Sequence, residues 1–322
     1  MKKYCMLDAH VYPDSDFHQE KEILEKAGYT FEIGNCRTAE EIIEFAKDAE
    51  VIGDVYLPIT EEILSSLPNL KGVVRYGVGY DVVDVEACTR HHVYCCNQPD
   101  YCLEDVASLT LAMLLDLTRK VTFFDRSCRR GEWNVAYGYP PHRLSELTLG
   151  LIGFGNIART TYHMIKPLGC RIIAYDPFLP DTVFAENGCE RVSLEELYAC
   201  ADVISVHVPH TPSTYHLIDD KAIAQMKDGV MLINTARGPI ISQDALVAGC
   251  RSGKIAAAAL DVVEKEPIHD VNHPLYECGN IIVTPHVAYN TVEAADALHC
   301  RCAETAVSIM NGEVPRTRVN MR

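Results

Sequence analysis

Along the first hundred residues, short apolar runs alternate with amphipathic ones. Tyr4–Asp8, Val51–Val55, Gly72–Tyr76 and His92–Cys96 are runs too short for helices and bounded by polar or turn-forming residues, so they read as strands. Gln19–Ala27, Glu40–Lys47 and Glu61–Ser66 mix apolar and charged positions at helical spacing. Strands separated by helices imply a parallel sheet covered on both faces. Glu104 to Arg119 reads as a long helix with apolar residues on more than one side (Val106, Leu109, Ala112, Met113, Leu114, Leu117), which predicts burial between domains or subunits. A second alternating series begins at Leu147. Its strands are Leu149–Ile152, Arg171–Tyr175, Val203–His207, Val230–Asn234, Ala257–Asp261 and Ile281–Thr284, and from Thr291 the chain is mostly one helix and a tail. The pattern predicts an α/β protein with two doubly wound parallel-sheet domains. Residues 1–103 and 292–322 make one discontinuous domain, and residues 104–291 are inserted into it.

Residues 120–147 break the alternation. Arg126, Arg129 and Arg130 are followed by Trp133, Tyr137, Tyr139 and Pro140-Pro141, which reads as an extended arm whose exposed aromatics suit a homodimer contact. The overall balance, 48% hydrophobic and 23% charged, is that of a folded chain. With 29 basic and 45 acidic side chains the formal charge is −16, which disfavours nucleic acid and anionic lipid as main partners. An anionic small molecule would then need a local cation. No apolar stretch reaches the roughly 18 residues of a membrane helix, and the apolar run after Lys3 is broken at Asp8 and His10, so a cytoplasmic protein is expected. The 14 cysteines include no Cys-x-x-Cys spacing. In His299-Cys300-Arg301-Cys302 the two thiols, one residue apart on a helix, do not face one point, and Cys95-Cys96 are adjacent, so no metal is expected. Small buried hydrophobes in a reducing compartment are the reading for these thiols.

Two groups of residues carry chemistry. In Gly150-Leu-Ile-Gly153-Phe-Gly155-Asn156-Ile157-Ala158, a glycine turn leaves a strand and opens a helix. The first glycine makes the turn, the second lets backbone approach a pyrophosphate, and small Ala158 lets helix and strand pack closely. Asp176 ends the next strand, where a carboxylate can accept the adenosine ribose hydroxyls and repel a 2′-phosphate, so NAD is expected rather than NADP. This makes the second domain Rossmann-like and leaves the first Rossmann-like or flavodoxin-like. The second group follows later strands: Arg237 in Asn234-Thr235-Ala236-Arg237-Gly238, Glu266 before Pro267, and His286 after Pro285. Ligands of an open parallel sheet bind beyond its carboxyl ends, so these loops can reach one crevice. Arginine fits a carboxylate bidentately, histidine can donate a proton near neutral pH, and a carboxylate partner orients it. Together they suit hydride reduction of a 2-keto acid.

At this point the sequence resembles the D-2-hydroxyacid dehydrogenases over nearly its whole length. The matching segments are Arg75-Tyr-Gly-Val-Gly-Tyr-Asp81, the Gly153 loop, His207-Val-Pro209, Asn234–Gly238, Ala259-Leu-Asp261-Val, Glu266-Pro267 and Pro285-His286. The resemblance implies catalytic roles for Arg237, Glu266 and His286. It implies dinucleotide contacts at Gly153, Gly155, Asn156, Ile157, Asp176, Val208, Pro209, Thr214, Thr235, Ala236, Arg237, Asp261 and His286. The loop Arg75, Tyr76, Gly77, Val78 and Gly79 is implied to hold the substrate carboxylate through backbone N–H groups. Tyr101 resembles a substrate-facing tyrosine of D-lactate dehydrogenases, the aromatic Tyr289 after the histidine is similar to that of D-lactate dehydrogenases and C-terminal-binding proteins, and with Tyr76 they predict a pocket for apolar or aromatic keto acids. Asp81, Val85 and residues 99–106 look closer to the phosphoglycerate and C-terminal-binding branches, although the regulatory domain of many phosphoglycerate enzymes is not present in this sequence. Two other readings stay open: an NADH-sensing, partner-binding protein of the C-terminal-binding kind, and oxidation of another small donor such as phosphite. Formate enzymes of the family lack the glutamate partner, so Glu266 speaks against formate.

Overall fold

In the computed structural model, residues 2–12, 15, 17–135 and 138–321 are described. The chain divides into two compact units, Met1–Cys102 with Thr291–Arg322, and Leu103–Asn290. In the first unit β1 (Lys3–Met6), α1 (His18–Lys26), β2 (Thr30–Ile33), α2 (Ala39–Ala46), β3 (Val51–Asp54), α3 (Glu61–Ser66), β4 (Gly72–Arg75), α4 (Val85–Arg90) and β5 (Tyr94–Cys96) alternate. The sheet is parallel in the order β2-β1-β3-β4-β5, a flavodoxin-like winding.

The second unit starts with α5 (Leu103–Arg119) and α6 (Val121–Arg129) and continues through β6 (Thr148–Ile152), α7 (Asn156–Ile165), β7 (Arg171–Tyr175), α8 (Asp181–Asn187), β8 (Glu190–Arg191), α9 (Leu194–Cys200) and β9 (Val203–Val206). It closes with α10 (Asp220–Gln225), β10 (Val230–Asn234), α11 (Gln243–Ser252), β11 (Ile255–Leu260), α12 (Pro274–Glu277) and β12 (Ile281–Val283), and α13 (Val292–Asn311) returns the chain to the first unit. Its sheet runs β12-β11-β10-β9-β6-β7-β8, so strand order reverses between β6 and β9. That reversal opens a crevice at the carboxyl ends of these two strands, and it is a Rossmann winding. The central strands are buried on both faces, β9 and β10 throughout, as expected where helices cover both sides.

Three expectations change. Residues 120–147 are not simply an extended arm, because they begin with helix α6, whose Phe123 packs inward. Trp133 and Val135 beyond it are 92% and 88% exposed, and Tyr137 lies outside the described residues. Helix α5 is covered in part within its own unit, where Met113, Leu114 and Leu117 join the core that α7 forms over β6. Third, β2, α4 and β8 were not expected. Both strands are sheet edges with half-exposed or exposed residues, and α4 is a short helix capped by Asp84, whose Oδ1 accepts the Ala87 N–H at 2.8 Å.

All 14 cysteines are free thiols, and all but Cys128, Cys200 and Cys300 are buried. Among the described residues no three His, Cys, Asp or Glu side chains are grouped to hold a metal ion. None of the described helices is long and apolar enough to cross a membrane.

Candidate active site

The phosphate-type cradle begins where β6 ends. Gly153 has φ +92°, and a Cβ there would lie 2.7 Å from the His207 carbonyl oxygen, so only glycine lets the loops after β6 and β9 touch. A Cβ on Gly155 would meet nothing within 4 Å, leaving an open approach to the first turn of α7. That helix buries Ala158, Thr161, Tyr162 and Ile165 on one stripe and so points its amino end at the crevice. Backbone N–H groups and the helix dipole favour a dianionic pyrophosphate there. Asn156 and Ile157 open α7, and Val208 Cγ1 lies 2.9 Å from where a Cβ on Gly153 would stand.

Asp176 does more than was expected of it. Its Oδ2 accepts the Phe154 N–H at 3.0 Å and its Oδ1 accepts the Phe178 N–H at 2.9 Å. The carboxylate therefore braces the glycine loop, and each oxygen keeps a lone pair for a ribose hydroxyl. Thr214 is likewise built into its loop, its Oγ1 donating to Pro209 O at 2.6 Å and accepting the Thr211 N–H at 2.8 Å. Thr235 Oγ1 lies 3.0 Å from Thr110 Oγ1 of α5.

The Arg237 loop is closed by a residue that sequence reasoning did not single out. Asn234, buried at the end of β10, accepts the Ala236 N–H at 3.0 Å through Oδ1 and donates from Nδ2 to Arg237 O at 2.9 Å. An asparagine ending an apolar strand three residues before the arginine was the available signal. Gly238 packs so closely on the next loop that a Cβ would sit 1.9 Å from Val263 O. Arg237 and Glu266 are thereby brought together, and Arg237 contributes to holding the Glu266 charge.

Glu266 Oε1 accepts the Val263 N–H at 3.0 Å, and its Oε2 lies 2.7 Å from His286 Nδ1. Burial works against the Glu266 charge, but the His286 hydrogen bond and charge, the Val263 N–H and Arg237 together hold its carboxyl below the ordinary range. His286 has φ +55°, a conformation a histidine keeps only when its surroundings fix it. Its N–H donates to Asp261 O at 2.8 Å, and the Asp261 side chain holds the rest of the loop. Asp261 Oδ1 accepts the Thr284 hydroxyl and, at 3.0 Å, the Val287 N–H, while Oδ2 accepts the Ala288 N–H at 2.8 Å. The resemblance cast Asp261 as a dinucleotide contact, whereas its buried carboxylate is engaged first as the brace of the histidine loop. The Tyr289 ring meets the His286 ring edge-on, centroids 6.3 Å apart. Desolvation pushes His207, after β9, down to about 4, so at neutral pH it carries no charge and shares a hydrogen bond with Ser205 Oγ at 2.9 Å.

In the first unit, Arg75 Nη1 donates to Tyr76 O at 2.7 Å. Gly77 has φ +147°, and a Cβ there would collide with that guanidinium. Gly77 O and Val78 O accept from Gln98 N at 2.9 Å and Asn97 Nδ2 at 2.7 Å, which fixes the loop running to Gly79. Burial pushes the Tyr101 hydroxyl well up, so it stays protonated. Tyr76 is a correction. Its ring is 1% exposed in the core, its hydroxyl accepting from Tyr4 at 2.9 Å and donating to Glu20 at 3.1 Å. Strand alternation puts it on the inward side with Val74, so its side chain does not line a pocket.

Comparison with known proteins identifies the family. Residues 111–288 match the D-isomer specific 2-hydroxyacid dehydrogenase, NAD binding domain family. A D-3-phosphoglycerate dehydrogenase of Methanocaldococcus jannaschii is 38% identical over 301 residues, covering 93% of this chain but only 57% of that protein's length. A glyoxylate reductase of Korarchaeum cryptofilum is 35% identical over 286 residues, covering 87% of this chain and 85% of that one. Among solved structures, D-lactate dehydrogenase from Aquifex aeolicus, complexed with NAD and lactic acid, superposes with a TM-score of 0.85 at 29% identity, covering 99% of both chains. With the glycine cradle, the Asp176 brace and the Arg237, Glu266 and His286 loops all following the carboxyl ends of strands of one parallel sheet, these matches establish that the chain belongs to the NAD-dependent D-isomer-specific 2-hydroxyacid dehydrogenase family.

Proposed function

We propose that this protein reduces an unphosphorylated 2-keto acid to the D-2-hydroxy acid, with Arg237, Glu266 and His286 as its catalytic residues. The observation that carries the reading is the Glu266–His286 pair at 2.7 Å beside the Arg237 loop. The open Gly155 approach and the Gly153 contact fit NAD, with Asn156, Ile157, Asp176, Val208, Pro209, Thr214, Thr235, Ala236 and Asp261 as its candidate contacts. Bound NADH supplies the hydride. Arg237 pairs with the substrate carboxylate and polarises the carbonyl. His286, with Nδ1 held by Glu266, donates a proton from Nε2 to the carbonyl oxygen, and in the oxidising direction the neutral ring takes it back. The backbone of residues 75–79 and Tyr101 are further candidates for substrate contact. Tyr289 beside His286 favours an apolar or aromatic substrate side chain.

Steady-state turnover with NADH against glyoxylate, pyruvate, phenylpyruvate and phosphohydroxypyruvate tests this directly. Turnover of pyruvate or phenylpyruvate above phosphohydroxypyruvate is expected, and the reverse order would refute the substrate class. No turnover of any of them would favour a cofactor-sensing protein instead.

The Asp176 carboxylate should keep NADPH out by repulsion of the 2′-phosphate. Equal catalytic efficiency with NADH and NADPH in the unaltered protein would sink that assignment. We also infer a homodimer through the segment after α6, because Trp133 and Val135 expose apolar surface that water solvates poorly. Sedimentation at micromolar concentration should give the dimer mass, and Trp133→Ser should shift it toward the monomer.

A further inference from the structure

A second carboxylate–imidazole pair lies in the same unit, apart from the catalytic one. His216 Nε2 is 2.7 Å from Glu264 Oε1, and the same oxygen accepts the Gln243 N–H at 2.9 Å. His216 has φ +48°, so its neighbours must hold it in place. They do so from several sides. Its N–H donates to Pro239 O at 2.8 Å, Ile218 N–H donates to Ile240 O at 3.1 Å, and Ser242 N–H donates to Ile218 O at 2.9 Å. The Tyr215 ring stacks on the imidazole with centroids 4.0 Å apart. On the far side of Glu264, Gly238 presses on the Val263–Glu264 backbone, and Val263 N–H is bound by Glu266. Three segments therefore meet at Glu264: residues 207–217 with Thr214 through His216, the start of α11 through the Gln243 N–H, and residues 261–267 with Glu266, a segment whose backbone Gly238 of the Arg237 loop touches.

We propose that Glu264 is a positioning residue for cofactor binding: through His216 it ties the Thr214 loop to the loop that carries Glu266. The inference rests on the assignment of Val208, Pro209 and Thr214 to the dinucleotide. Neither Glu264 nor His216 is hydrogen-bonded to His286, so the pair acts on where the loop stands and not on proton donation. Loss of the tether lets the loop sample other conformations, and NADH binding must then bear the cost of ordering it.

The test measures NADH dissociation constants by titration calorimetry on the full chain, alongside turnover at saturating NADH and its pH profile. Glu264→Ala and His216→Ala should each weaken NADH binding about tenfold, the scale of a hydrogen bond to a charged group. The double variant should be no worse than either single one, because both remove the same interaction. Glu264→Gln should recover most of the loss, since its amide oxygen can still accept from Gln243 N and from a protonated Nε2. Saturated turnover and its pH profile should stay as in the parent protein. If Thr214→Val weakens NADH binding while Glu264→Ala and His216→Ala do not, the tether is refuted and the cofactor assignment stands. If Thr214→Val leaves NADH binding unchanged, the cofactor assignment of that loop falls and the inference with it. A fall in saturated turnover with NADH binding intact would also overturn it, placing Glu264 in the proton-transfer apparatus. Should Glu264→Ala fail to fold, His216→Ala and Glu264→Gln decide between the same outcomes.

Discussion

Replacing His286 by alanine is expected to lower keto-acid turnover by roughly 10²–10⁴, the usual contribution of a positioned acid or base. The loop that presents this ring is fixed independently of the ring itself, by the Asp261 carboxylate and backbone. The substitution should therefore leave the loop in place and NADH binding close to that of the parent, and the loss should fall on turnover. The partner residue gives a finer reading. In Glu266→Gln the imidazolium loses its negative neighbour, so the pH profile of reduction should move to lower pH. Oxidation needs the neutral ring, so its activity should extend to lower pH in the same variant. Near-normal turnover in His286→Ala, or unmoved profiles in Glu266→Gln, would show that the proton comes from elsewhere. The Glu266 shift also has a stability consequence. Its folded-state carboxyl is held below the ordinary value, so its contribution is present above the unfolded pKa of about 4.3 and is lost as pH falls through the lower folded value.

Arg237→Ala should be the other severe change, costing about 10²–10³ in turnover, as when one preorganised donor to developing charge is removed. Unlike the histidine substitution, it should also raise the KM for the keto acid, because the same guanidinium holds the carboxylate in the ground state. Arg237→Lys should rescue little, since an ammonium cannot reproduce the planar, bidentate fork. The loop is shaped by Asn234 and by the contact of Gly238 with Val263, neither of which needs the arginine side chain. A folded Arg237→Ala protein with parental KM and turnover would remove Arg237 from the site.

The two sheets, the glycine cradle and the three reactive loops were legible in the sequence because their signals are local. A strand buried on both faces is a nearly continuous apolar run, as in Val203–Val206, broken only by Ser205, and in residues 230–233, and it stays one whatever packs above it. A turn that needs glycine at Gly153 announces itself by residue type. What the sequence left undecided depended on which surfaces meet. Strands β2 and β8 sit at sheet edges, where one-sided pairing permits mixed, half-exposed residues and blurs the pattern. Apolar residues on α5 say that something covers them, and only the fold shows that the cover includes α7 of the same unit. Tyr76 stands in a loop resembling a substrate site, yet its side chain belongs to the core because it directly follows β4 and continues its alternation onto the Val74 side. Asp261 and Glu264 are acidic residues near a catalytic glutamate, and no spacing rule separates a brace from a ligand contact. Their roles come from hydrogen bonds to residues distant in the chain, Val287 and Ala288 for one and His216 and Gln243 for the other. Residue type and periodicity determine what a segment can become, and tertiary packing decides which of its polar groups are occupied within the protein and which are left for chemistry.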